Sequence, residues 1–147
     1  MYKKILVALD KSENSQNAIE HAKMVAKNFN AKIILFCAYQ VSSDLLDQQI
    51  MYNLENNYIQ KMTDNLKKHY QDFLDETKKK ISAQEIEVST LLENGKTGVK
   101  IVEAIESTQS DIAIIGSRGL GNLSSMVMGS VSSYVLHHTN KPLLIVK

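Results

Sequence analysis

The chain has 147 residues, which suits one domain with its own core, and its 44% hydrophobic and 22% charged residues are typical of a soluble globular protein. Seventeen basic residues against sixteen acidic ones leave a formal net charge of +1. Because nucleic-acid binders and membrane-surface binders depend on a large basic excess, this balance argues against both kinds of partner. We expect a single domain over residues 1–147.

The cysteine content and the apolar runs bear on the compartment. A single cysteine, Cys37, excludes an intrachain disulfide and a cysteine cluster for zinc. No apolar run approaches the roughly 18 residues of a membrane span, and no secretory leader precedes the first strand pattern. The sequence therefore predicts a cytoplasmic protein in which Cys37, inside an apolar run, is a buried small hydrophobe.

The first part of the chain predicts a strand, a helix and a second strand. The apolar run Ile5–Leu9 is short and continuous, as is the run Ile33–Ala38. Between them, apolar residues recur on one helical face from Ala18 to Phe29. Ser12 or Asn14 is the expected cap of this helix, because both side chains can accept a hydrogen bond from the first turn.

The middle of the chain predicts a long polar helix and then an edge strand. Residues 44–80 contain no proline or glycine and keep a rough helical spacing, which predicts one long helix or a short helix followed by a long one. Residues 85–92 alternate between polar and apolar side chains, which is typical of an edge strand with one wetter face. A helix over Gly98–Ser107 follows, with Thr97 as a possible cap.

The last part predicts a strand at Ile112–Ile115, a helix over Ser124–His138 and a strand at Leu143–Val146. Short, continuous apolar runs of this kind predict strands that are covered on both faces. Strands that alternate with helices predict right-handed βαβ crossovers. We therefore expect an α/β domain with a doubly wound, five-stranded parallel sheet and helices on both faces.

Two strand ends carry residues with chemistry, and in such sheets ligands bind beyond the carboxyl ends of the strands. The first strand ends at Asp10, and the fourth ends in the glycine stretch Gly116–Gly121. Gly129 and Ser130 follow where a helix begins or is already under way. Glycine permits a positive φ and a close approach to a ligand. Backbone N–H groups of such a loop, or of a helix N-terminus, can bind phosphate, and Arg118 adds a charge unless it faces solvent.

The pattern leaves open that these glycines serve only the turn. Gly116, Gly119 and Gly121 do not form the dinucleotide-binding spacing, and they follow the fourth strand instead of the first. The segment Gly95–Thr97 resembles the end of a P-loop, but that motif requires a glycine where Thr90 stands. Neither familiar phosphate motif is present.

At these residues the chain resembles the ATP-binding branch of the universal stress protein family. The branch carries a glycine, two residues, a glycine, nine residues, and a glycine followed by serine or threonine, which correspond to Gly116, Gly119, Gly129 and Ser130. The opening Lys3–Ser12 resembles the first strand and turn of the family. The closing Pro142–Val146 resembles its last strand, so the resemblance covers the whole chain.

The resemblance implies the adenine nucleotide alpha hydrolase-like fold with strand order 3-2-1-4-5, and a homodimer. It implies bound ATP, with Mg²⁺ or Mn²⁺ held through the phosphates and no separate metal cage. Asp10 would contact the ribose, the backbone of Ala38 would contact the adenine edge, and the glycine motif would line the ribose and phosphates. The candidate nucleotide site is Ala8, Leu9, Asp10, Ala38, Gly116, Arg118, Gly119, Gly129, Ser130, Val131 and Ser132.

Three functions fit this reading. The first is a dimeric, ATP-binding regulatory module of the stress response that acts on an unidentified protein partner. The second is a slow ATPase or phosphotransferase, but only Asp10 and Arg118 lie near the loop and no general base is recognisable, so no catalytic residue is assigned. The third is a protein-interaction dimer without nucleotide, formed through the exposed edge of the last strand, Leu143–Val146.

Overall fold

A computed structural model of the chain describes residues 1–52, 57–119 and 128–147. The strands in these residues are β1 Lys4–Ala8, β2 Lys32–Tyr39, β3 Val88–Asn94, β4 Ile112–Gly116 and β5 Leu143–Val146. The helices are α1 Glu13–Phe29, α2 Ser43–Tyr52, α3 Tyr58–Ser82, α4 Thr97–Ser107 and α5 Ser130–His138. Strands and helices alternate along the chain, except that α2 and α3 both follow β2.

The five strands form one parallel sheet in the order β3-β2-β1-β4-β5. In the central strand β1, Leu6 lies opposite Ile34 of β2 and Ala113 of β4. The predicted α/β class and strand order are confirmed. The predicted edge strand is also present as β3, although it begins at Val88 because Glu85 adopts a left-handed turn conformation with φ 62°.

Alternate residues of the central strands bury two separate core clusters, one on each face of the sheet. On the first face the strands pack against α1 and α3, with buried side chains that include Val7, Leu35, Ala22 and Leu74. On the second face they pack against α4 and α5, with buried side chains that include Leu6, Phe36, Ile101 and Val135. Burial on both faces is the reason that these strands read as continuous apolar runs.

The N-terminus of α1 is closed by the side chain of Ser12, whose Oγ accepts the N–H of Ser15 at 3.2 Å. Of the two predicted caps, Ser12 is therefore the correct one. Thr97 is not a cap, because it is already the first residue of α4, and the cap position belongs to Lys96 in an extended conformation without a side-chain hydrogen bond. The prediction of Thr97 as a cap was wrong.

Two helix boundaries differ from the predicted ones. The predicted helix over residues 44–80 is a short and a long helix, α2 and α3, with residues 53–56 between them outside the described part. The predicted helix from Ser124 is wrong in its start, since Met128 and Gly129 are not helical and α5 begins at Ser130. The N–H of Gly129 instead donates to the carbonyl of Ser117 at 2.8 Å. Residues 120–127, which include Ser124 and Gly121, lie outside the described part.

Within the described ranges, no helix has both the length and the apolar character needed to cross a membrane.

Candidate functional site

A cavity of about 310 Å³ opens at the carboxyl ends of β1 and β4. These neighbouring strands lead into helices on opposite faces of the sheet, α1 and α5, so the cavity lies where the strand order reverses. Its lining consists of Ala8, Leu9, Asp10, Ser15, Thr97, Ile101, Ile115, Gly116, Arg118, Gly119, Gly129, Ser130, Val131 and Ser132. Ten of the eleven predicted site residues therefore line one cavity.

The eleventh predicted residue, Ala38, lies apart from this lining. It lies near the carboxyl end of β2, is 9% exposed and belongs to the core cluster of the second face, against which Ala8 also packs. Its predicted role involves only the backbone. The adenine contact of Ala38 stays a prediction.

Four lining residues were missed from the sequence: Ser15, Thr97, Ile101 and Ile115. Thr97 and Ile101 belong to α4, which packs on the same face of the sheet as α5. The strand order 3-2-1-4-5 would have indicated that α4 lies on the same face as α5, because the crossover from β3 to β4 must pass over that face of the sheet. Ser15 lies one helical turn after the cap Ser12, a spacing that points its side chain back toward the start of the helix.

Asp10 is fixed by the turn that follows β1. Its Oδ1 accepts the N–H of Ser12 at 3.0 Å and the Ser12 hydroxyl at 2.5 Å. The other oxygen, Oδ2, lies toward the glycine segment, since a Cβ added at Gly119 would fall 2.6 Å from it. The turn therefore holds the carboxylate in place through one oxygen and leaves the second oxygen at the cavity wall.

Glycine is required at the cavity because other protein atoms lie close to these positions, and not because the backbone is unusual there. Among the described glycines, only Gly95 has a positive φ. A Cβ would instead lie 2.9 Å from Asn14 at Gly116 and 3.1 Å from the Ser117 carbonyl at Gly129. The positive φ that glycine permits is not used at these positions, and the approach of a ligand to them stays a prediction.

The N-terminus of α5 faces the cavity without a side-chain cap. Gly129 occupies the cap position with φ −61° and ψ 156°, and it has no side chain to accept the N–H groups of the first turn. Ser130 and Val131, the first two helical residues, line the cavity. Because the first N–H groups of a helix have no intrahelical acceptor and carry the positive end of the dipole, this terminus is suited to an anion.

Ser117 and Ser132 hold this helix start in position. The Ser132 hydroxyl donates to the carbonyls of Ser117 and Gly129, at 3.0 Å each. The N–H of Ser117 donates in turn to the carbonyl of Val146 at 2.6 Å. The anion-accepting end of α5 is therefore tied to the ends of β4 and β5.

Lys11 fastens the turn after β1 to the long helix α3. Its backbone is left-handed, with φ 67°, and its Nζ lies 2.6 Å from Nε2 of His69 and within 6 Å of the rings of Tyr70 and Phe73. The ammonium and the imidazole nitrogen lie within hydrogen-bonding distance of each other. Cation–π attraction adds to it.

Cys37 packs beneath the same turn and donates through Sγ to the carbonyl of Leu9 at 3.2 Å. Burial raises the pKa of the Cys37 thiol to about 12, and the nearby negative charge of Asp10 contributes in the same direction. The thiolate is the reactive form of cysteine, and it is suppressed here. The expectation that Cys37 is a buried small hydrophobe is confirmed.

Histidine, cysteine and carboxylate side chains do not gather into a group of three that could hold a metal ion anywhere in the described part of the chain.

The fold and the site together define a doubly wound α/β domain with a cavity at its topological switch point, lined by the uncapped start of a helix. The family model described as the universal stress protein family matches residues 1–147. The chain belongs to the universal stress protein family, as the resemblance in its sequence predicted.

Individual relatives agree with this assignment. Universal stress protein YxiE of Bacillus subtilis is 28% identical to this chain over 151 residues, and the match covers 100% of both chains. The solved structure of protein MJ0577 of Methanocaldococcus jannaschii superposes with a TM-score of 0.85 at 28% identity, covering 100% of this chain and 96% of that one. A universal stress protein of Archaeoglobus fulgidus, solved in complex with dAMP, has a TM-score of 0.68 at 18% identity, covering 99% and 98%. This last likeness concerns the fold.

Proposed function

We propose that this protein binds ATP in the cavity between β1, β4 and the N-terminus of α5, and that it acts as a dimeric, nucleotide-dependent regulatory module of the stress response. Asp10 contacts the ribose through its cavity-facing oxygen. Gly129 and Ser130 bind the phosphates, and Gly116 and Gly119 line the ribose–phosphate path. Ala8, Leu9 and the backbone of Ala38 surround the adenine.

The observation that carries this proposal is the uncapped start of α5. Its first residues, Ser130 and Val131, line the same cavity as Asp10. A donor-rich helix terminus suits a phosphate, whereas a fixed carboxylate suits the hydroxyl groups of a sugar. A nucleotide presents both groups at the same time. The dAMP complex of the Archaeoglobus relative shows that this fold accommodates an adenine nucleotide in that protein.

Glycine lets the segments of the cavity wall pack closely together. A side chain at Gly119 would collide with Asp10, and one at Gly129 would press on the Ser117 carbonyl. Only glycine therefore allows this packing, and a backbone without side chains is a surface that a phosphate can approach. Mg²⁺ or Mn²⁺ would accompany the phosphates and be bound mainly by their oxygens and by water.

The test is a direct search for nucleotide. Freshly purified protein is denatured, the released small molecules are separated by chromatography, and ATP binding is then measured by calorimetry with Mg²⁺ present. We expect adenine nucleotide near one per chain, or binding of added ATP to the emptied protein. Absence of released nucleotide together with absence of binding heat would refute the proposal.

We also propose that the dimer forms through β5. This strand is an edge of the sheet, and Leu143, Leu144 and Ile145 are only partly buried. An apolar edge strand with unpaired backbone groups can pair with a second copy. Sedimentation or light scattering at micromolar concentration should give twice the mass of the chain, and Ile145→Pro should give the monomer, because proline removes a backbone donor. A wild-type monomer would contradict the interface.

The regulatory part of the proposal is that nucleotide occupancy alters the surface presented to a protein partner. The helix α5, which begins at the phosphate end of the cavity, leads directly into β5 at the proposed dimer edge. A cytoplasmic location is part of the same proposal and accords with the single, buried, free thiol.

A further inference from the structure

The Ser15 hydroxyl is a buried polar group without a hydrogen bond. Ser15 is 2% exposed, and no described residue places a donor or acceptor within range of its Oγ. Its backbone N–H, by contrast, donates to Ser12. Buried hydroxyl groups nearly always have a partner, because one that loses water and gains nothing in return destabilises the fold. This hydroxyl therefore requires an explanation.

The position of Ser15 supplies one. It is the third residue of α1 and forms part of the cavity wall, together with Asp10 and Gly116. Gly116 packs directly against Asn14, the residue before Ser15, so this turn of α1 lies where the ends of β1 and β4 meet. That crevice is the place where sheets of this kind bind ligands.

We infer that the Ser15 hydroxyl donates a hydrogen bond to the bound nucleotide, directly or through one ordered water, and that the complex thereby supplies the partner that the protein alone does not. The inference rests on the proposed function. The acceptor is an oxygen of the sugar–phosphate part, since Asp10 and Gly116 are the neighbouring wall residues. In this structure the Oγ has almost no accessible surface, so the contact requires a rotation about the Cα–Cβ bond that turns the hydroxyl into the cavity.

Ser132 provides a matched comparison inside the same cavity. It is the third residue of α5, as Ser15 is of α1, and it is also 2% exposed. Its hydroxyl donates to two carbonyls, of Ser117 and Gly129. Replacing either serine by alanine removes the same atom and changes helix propensity equally. The two variants therefore compare a hydroxyl that is bonded within the protein with one that is not, and the comparison is made on the Tm because Ser132 is itself a predicted nucleotide-site residue.

The experiment measures thermal unfolding without ligand and ATP affinity by calorimetry with Mg²⁺, for the wild type, Ser15→Ala and Ser132→Ala. We expect Ser15→Ala to leave the Tm unchanged or to raise it, because the hydroxyl has no partner to lose, and to weaken ATP binding by about three- to tenfold. Ser132→Ala should lower the Tm by about 2–4 °C, since it breaks bonds that hold the start of α5.

Each other outcome has one meaning. If Ser15→Ala lowers the Tm as Ser132→Ala does, the hydroxyl has a structural partner and the inference is overturned. If the wild type binds ATP and Ser15→Ala binds it within twofold as tightly, the hydroxyl does not touch the ligand and the inference fails while the proposed function stands. If the wild type binds no ATP, the proposed function fails and the inference with it.

Discussion

The two turns that bound the cavity are built in opposite ways. After β1, side chains satisfy the backbone: Asp10 accepts from Ser12, and Ser12 caps α1. Before α5, Gly129 stands in the cap position and offers no side chain at all. The first turn, which we call the closed turn, is satisfied by the protein's own side chains, whereas the second, the open turn, has no side-chain cap and is suited to an anion.

This difference assigns separate contributions to the two turns. The turn after β1 is fixed before any ligand arrives, so it can orient a sugar without further ordering, and changes in it should cost stability. The start of α5 is short of acceptors and should contribute mainly to affinity. Changes to the two turns should therefore separate stability from ATP binding.

The largest expected effect is on affinity, at the open turn. Gly129→Glu places a carboxylate where we propose that the phosphates bind, and its own oxygens can cap α5 in their place. We expect ATP binding to weaken by at least about 100-fold, since like charges at such a site cost several kcal/mol. The Tm without ligand should fall modestly as well, because a Cβ at Gly129 would lie 3.1 Å from the carbonyl oxygen of Ser117, although the backbone angles there suit any residue.

The control for Gly129→Glu is Gln16→Glu, which adds the same charge at an exposed position of α1 outside the cavity lining. Its ATP affinity should equal that of the wild type. Equal losses in the two variants, measured by calorimetry, would attribute the effect to net charge and not to the start of α5.

The next largest effects distinguish the roles of the two carboxylate oxygens of Asp10. Asp10→Asn keeps an oxygen for the bonds from Ser12 but replaces the cavity-facing oxygen, so we expect about three- to tenfold weaker ATP binding with near-normal stability. Asp10→Ala loses both oxygens. Compared with Asp10→Asn, we expect its free energy of unfolding, measured in urea, to be lower by about 1.5–3 kcal/mol. Equal stability of the two variants would show that the bonds from Ser12 contribute little.

A smaller effect is expected at the cap of the closed turn. Ser12→Ala removes the acceptor for the N–H of Ser15 and should lower the free energy of unfolding by about 1 kcal/mol. Ser12→Thr keeps the hydroxyl and serves as the control. Urea denaturation measures both variants, and a Ser12→Ala variant as stable as Ser12→Thr would contradict the closed-turn description.

The smallest effect is a pH dependence at Cys37, beneath the closed turn. The pKa of its thiol is 9.0 in the unfolded chain and about 12 in the fold. The unfolded chain therefore loses the proton first, and the stability from this group is complete below pH 9 and decreases as the pH rises toward 12. Between pH 8.5 and 9.5 we expect a loss of about 0.7 kcal/mol that Cys37→Ala does not show. The free energy of unfolding is measured in urea, and an identical dependence on pH for the wild type and Cys37→Ala would contradict this prediction.

Local patterns were sufficient for the strands and came close to the cap of α1. The apolar runs follow from burial on both faces, whereas the strand order came from the family resemblance, and the sequence neighbourhood of the cap left Ser12 and Asn14 as alternatives. The start of α5 was misplaced because it depends on a bond from Gly129 to Ser117, which lies 12 residues earlier in the chain. Ser15 was missed for a similar reason, since serine in a first helical turn is ordinary, and only packing against β4 brings it to the cavity.

The two edges of the sheet also differ, and this difference limits how many copies can assemble. The outer strand β3 carries Glu93 and follows the exposed Glu87, and charges discourage pairing with another chain. The strand β5, by contrast, is Leu-Leu-Ile-Val. A protein with two pairing edges can extend into open filaments, whereas one adhesive edge closes after a single two-fold contact. Pairing through β5 would therefore end at two copies, which protects the protein against fibre growth at high concentration.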